Sequence, residues 1–116
     1  MDDLIMFLLA RLDEDAARAQ RCAGDGSWRP DEIAAYGPDL SPEVREHMAA
    51  HDPARVLAEV EAKRQMVSEY EKEQRVIEQG HRTAWTEGGQ AARRSMIRLW
   101  AQVYPGYLGD QDAWQL

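Results

Sequence analysis

The sequence predicts an all-α fold, a small helical bundle of about four helices with one long central amphipathic helix. Two observations carry that expectation. Apolar residues recur at steps of three and four wherever a period is clear, and helix-start signals stand in front of the periodic runs. At 116 residues the chain is read as a single helical domain over 1–116, large enough for a modest core but small for an enzyme with a deep pocket.

The first helix is expected over about residues 3–21. Leu4, Ile5, Leu8, Leu12, Ala16 and Ala19 form one stripe, and Asp2 or Asp3 caps the start. Gly24 and Gly26 then favour turns with positive φ. Residues 22–40 have no sustained period and contain Pro30, Gly37 and Pro38, so they read as an ordered loop with at most one short helical turn near Asp31 to Tyr36.

Ser41-Pro42-Glu43 starts a short helix over 41–50, with a serine cap, a proline where no N–H is needed and an acid near the positive end of the dipole. Pro53 biases Asp52 away from the α region and separates this helix from the next. With Asp52 as N-cap, a long helix over 53–79 would extend roughly 40 Å at the standard rise. Val56, Val60, Lys63, Val67, Tyr70, Gln74 and Ile77 follow heptad spacing within it, although polar Lys63 and Gln74 weaken an extended coiled coil. Gly80 ends the helix, and Gly88-Gly89 is read as a second break. A last helix follows over 90–104, with Met96, Ile97, Trp100 and Val103 on one stripe and Leu99 at its edge. Residues 105–116 form a tail, in which Trp114 argues for burial because a tryptophan gains much from leaving water.

Charge and cysteine usage bound the function. Twenty-one acids against fourteen bases give a net charge of −7, which argues against nucleic acid as a partner. Between Gly80 and Tyr104 the balance reverses, with Arg82, Arg93, Arg94 and Arg98 against Glu87; a solvated face is the simpler reading than an anion site. The single Cys22 forms no intramolecular disulfide and suits a reducing compartment. The run Leu4 to Ala10 is too short to span a bilayer and follows acids rather than bases, so neither a membrane anchor nor a signal peptide is expected. A cytoplasmic protein is the expectation.

Four blocks resemble an uncharacterised family of small actinobacterial and actinophage proteins, a domain of unknown function. They are Met1 to Asp15, Ser27-Trp28-Arg29, the core His47-x-x-x-His51-Asp52-Pro53-Ala54-Arg55-Val56-Leu57, and more weakly Ile97 to Trp114. The resemblance implies a lineage and a fold, and no reaction. Many members carry a cysteine-rich insert before the last helix, whereas His81 to Gln90 here contains no cysteine.

Three groups of residues could carry chemistry. His47 and His51, one helical turn apart, could chelate a metal such as zinc, with Asp52, Glu43 or His81 as a third ligand. The competing reading is structural, because an imidazole at a helix C-terminus also hydrogen-bonds exposed carbonyls. The acids Asp13-Glu14-Asp15 and Glu69, Glu71 and Glu73 point to different sides of a helix and do not converge as a catalytic pair must. No phosphate loop, nucleophile elbow or metalloprotease motif is present.

The third group is aromatic. Trp28 and Trp100 suit a core, whereas Trp85 and Trp114 lack local apolar neighbours and must reach back to the core or meet another chain. The sequence therefore favours a non-catalytic interaction protein or oligomeric accessory protein, a homo-oligomer or partner of another protein. Val60, Val67, Tyr70 and Ile77 are expected in helix packing or at the interface, together with Trp85 and Trp114. No cofactor is expected. A metal-binding module or metal-dependent enzyme on His47 and His51, with zinc as its metal, is one alternative; an acidic phage-type regulator of a basic partner is the other.

Overall fold

The computed structural model describes residues 1–22 and 24–107. Along these residues run five helices: α1 (Asp2–Gln20), α2 (Pro30–Tyr36), α3 (Pro42–Ala50), α4 (Pro53–Glu78) and α5 (Ala84–Gln102). The fold class is all-α, and α4, at 26 residues, is about 39 Å long. None of the described helices is long and apolar enough to cross a membrane. Trp114 and the end of the expected tail lie outside the described residues.

The chain divides into two compact units, and α1 and α4 each contribute residues to both. One unit comprises residues 13–61. Its buried apolar side chains include Ala16, Ala19, Ile33 and Val60. Gly26 adopts φ +79°, and a Cβ there would stand 3.1 Å from the Ala54 amide nitrogen and 3.2 Å from Pro53 Cβ. Its carbonyl accepts the Ala54 N–H at 3.0 Å, so the glycine turn lies against the first turn of α4.

The other unit comprises residues 1–12 and the described residues from 62 onward. Its buried apolar side chains include Leu4, Leu8 and Leu12 from α1, Val67, Tyr70 and Ile77 from α4, and Ile97 and Ala101 from α5. Gln90 is 1 % exposed among them. Its Nε2 donates to the Tyr70 carbonyl and to Gln74 Oε1, each at 3.1 Å, while its Oε1 accepts from Arg93 Nη1 at 3.2 Å. The polar position Gln74 in the α4 seam is thus part of a bridge that ties α5 back along α4.

Within the segment read as loop, the short helical turn expected near Asp31 to Tyr36 is α2, which starts one residue earlier, at Pro30. Proline at the first position, Asp31 and Glu32 in the first turn, and Gly37 donating its N–H to the Ile33 carbonyl are enough to start and stop it. The last helix begins at Ala84 rather than Gln90, and Gly88 and Gly89 lie inside it. Thr83 and Thr86 form a reciprocal capping box, with Thr83 Oγ1 accepting the Thr86 N–H at 3.1 Å and Thr86 Oγ1 accepting the Thr83 N–H at 2.9 Å. That cap offsets part of the helix cost of two glycines, which is roughly 1 kcal/mol each relative to alanine.

Candidate functional site

The segment from His47 to Leu57 is held together by its own polar groups. Asp52 caps α4: Oδ1 accepts the Arg55 N–H at 2.9 Å, and Oδ2 accepts the Trp28 N–H at 3.0 Å. These two backbone donors, Arg55 first and Trp28 second, hold the Asp52 carboxyl below its ordinary value. The Arg55 guanidinium acts in the same direction, and slight desolvation opposes it. Arg55 also reaches back, with Nη1 donating to the Ala50 carbonyl at the end of α3 and Nε to Glu59 Oε1. Two stretches distant in sequence, Ser27-Trp28-Arg29 and His51-Asp52-Pro53-Ala54-Arg55, are therefore joined by the Trp28–Asp52 bond.

His51 is the C-cap of α3, donating its N–H to the His47 and Met48 carbonyls. The His47 carbonyl also lies 3.0 Å from His51 Nδ1; as a carbonyl only accepts, Nδ1 is the donor in this arrangement. The two rings stand with centroids 4.4 Å apart, tilted by 31°. Among the described residues no three His, Cys, Asp or Glu side chains are grouped so as to hold a metal ion. Asp52, one expected third ligand, has both oxygens engaged by backbone donors.

The predicted interaction residues fall into different places. Val60, Val67, Tyr70 and Ile77 are all buried within the single chain. Trp85, by contrast, is 90 % exposed on the first turn of α5. Met96 (39 % exposed), Leu99 (55 %) and Val103 (74 %) join it, and Gly89 and Ala92 lie exposed between them. At 3.6 residues per turn, Trp85, Gly89, Ala92, Met96, Leu99 and Val103 fall within about 40° of one line along the helix. The buried Gln90, Ile97 and Ala101 sit roughly 140° away. Helix α5 therefore carries two apolar faces, one inward and one toward water.

That outer face was not legible in the sequence expectation, which grouped Met96, Ile97, Trp100 and Val103 as one stripe. Ile97 is buried and Trp100 half-buried, while Met96 and Val103 belong to the other side. The signal was the heptad spacing back to Trp85, and reading Gly88-Gly89 as a break concealed it.

Hollows among the described residues lie elsewhere. One, of about 440 Å³, is mostly apolar and lined by Cys22, Trp28, Glu32, Ile33, Tyr36 and Met48. Cys22 Sγ lies 3.7 Å from the Arg18 carbonyl. Another, also about 440 Å³, lies beside the Gln90 bridge, with Arg82, Glu87 and Arg94 at its rim. Arg82 Nη1 is bonded to Glu87 Oε1 at 2.6 Å, and Arg93 Nη1 to Gln90 Oε1 at 3.2 Å, so these two arginines have partners within the chain.

Fold and surface together define a small all-α protein that presents an apolar helix face to solvent. The chain belongs to a family of unknown function, DUF6221, whose model matches residues 1–116. No curated protein and no solved structure shows significant similarity to it.

Proposed function

We propose that this chain is a non-catalytic, cytoplasmic interaction protein that works by presenting the outer face of α5 to another protein chain. The observation that carries the reading is Trp85, 90 % exposed and in line with Met96, Leu99 and Val103. An isolated exposed apolar residue is ordinary, but an aligned apolar row marks an interaction face, and tryptophan at its head is a residue enriched at binding hot spots. The polar groups of Asp52, Arg55 and His51 are engaged in caps and turns, which supports a structural role for the sequence signature. Resemblance of that signature to actinobacterial and actinophage proteins supports the same setting for this chain.

A photo-reactive amino acid placed at position 85 of the full chain, in the cell that naturally makes it, tests the reading. Covalent capture of a protein from position 85, and not from exposed Glu69 on α4, is expected. Equal capture from both positions, or none from position 85, would reject the proposal.

A further inference from the structure

We infer that the occupant of this face is a second copy of the same chain, paired through α5 against α5 in antiparallel orientation about a two-fold axis at the level of Arg94. The inference rests on the protein-interaction reading above and names its partner.

The six outer positions follow steps of four, three, four, three and four along the sequence. That spacing is a heptad seam, and it reads the same from either end. A two-fold axis at residue 94 sets Trp85 across from the partner's Val103, Gly89 across from the partner's Leu99, and Ala92 across from the partner's Met96. Each large side chain in the middle of the seam then meets a small one. The face is its own complement, which is the requirement of an isologous two-fold interface and is not demanded by binding to an unrelated helix.

The space along the face agrees with this arrangement. A Cβ built on Gly88 would meet no atom within 4 Å, and one on Gly89 would meet only Arg93 Nη1, at 3.5 Å. These positions are open to a close-approaching helix. Arg93 Nη1 is held by Gln90 Oε1, 3.2 Å away, so its guanidinium is fixed at the border of the seam beside Gly89. Parallel pairing would instead stack glycine on glycine and alanine on alanine, leaving a gap in one half and crowding Met96 and Leu99 in the other. Two such faces, each headed by a tryptophan, remove on the order of 1,000 Å² from water, the lower bound for a specific interface.

Native mass by light scattering of the full chain, with its variants, is the test. A dimer is expected. Leu99→Asp should weaken it by more than about tenfold, as loss of a central apolar contact does. Gly89→Leu separates register from greasiness: it improves helix propensity and enlarges the apolar face, so nonspecific association would strengthen, whereas the antiparallel seam loses the cavity that receives Leu99 and weakens. In a Cys22→Ser background, a chain bearing Gly89→Cys mixed with one bearing Leu99→Cys should form a mixed disulfide, and neither should link to itself.

A monomer, a dimer indifferent to Gly89→Leu, or self-linking of Val103→Cys, which only a parallel pair allows, would each overturn the inference. A monomer whose position-85 probe still captures a different protein would remove the second copy while leaving the interaction reading intact. A probe that captures nothing would remove both.

Discussion

Gly26 and Asp52 show how single residues join distant parts of the sequence signature. Gly26 has φ +79° and little room for a side chain against Pro53 and Ala54. Gly26→Ala should therefore destabilise the fold by about 2 kcal/mol, mostly from forcing an L-residue into the left-handed region, as measured by urea unfolding. Asp52 is held ionised by the Arg55 and Trp28 amides, so its folded pKa lies below its unfolded one. Its stabilising contribution is complete above the ordinary carboxylate range and is lost as pH falls through the lowered folded value. Asp52→Asn should accordingly melt below the parent at neutral pH, and the gap in Tm should narrow as the solution is acidified. A gap that stays constant with pH would show that the carboxylate charge is not what the two amides hold.

At the scale of elements, the informative comparison is between α4 and α5. The Gln90 bridge fixes how α5 lies along α4, and its amide has partners on both atoms. Removing Gln90 alone, as Gln90→Leu, should cost about 1–3 kcal/mol, because Gln74 and Arg93 lose a partner in a part-buried setting. The pair Gln74→Leu with Gln90→Leu should cost less than the sum of the two single changes, which a double-mutant cycle reads directly.

The sequence made α1 and the inner stripe of α4 legible because long amphipathic runs such as Leu4, Leu8 and Leu12, or Val60 and Val67, repeat often enough to set a phase. It marked α2 only as a short turn, because seven residues are too few to repeat, and it missed the start of α5, where a threonine capping box precedes two glycines. It also left open whether Val67 and Tyr70 face a partner or a core, since periodicity gives a face and not its occupant; in the structure they are buried. The candidate site was half legible. Trp85 stood out as a tryptophan without local neighbours, but its companions Leu99 and Val103 could be aligned with it only once the helix was continuous through Gly88 and Gly89.

For the whole molecule, inner and outer apolar residues should respond oppositely to the same change. Val67 is buried, so Val67→Asp places a carboxylate in the core and should cost at least about 3 kcal/mol, a large share of the total for a domain of this size. Loss of the helical circular dichroism signal or a steep drop in Tm is expected, whereas Leu99→Asp on the outer face should leave the monomer's fold intact. Net charge supplies the final discrimination. Each copy carries −7, so two copies repel at long range, and an apolar seam must form against that repulsion. Added salt screens the repulsion and leaves apolar burial in place, so self-association should hold or tighten as ionic strength rises. An acidic regulator seated on a basic partner would behave the other way, with affinity falling as salt screens the attraction. Sedimentation of the purified chain across a salt series therefore tests the seam: a dimer that dissociates as salt rises would be held by charge and not by apolar burial.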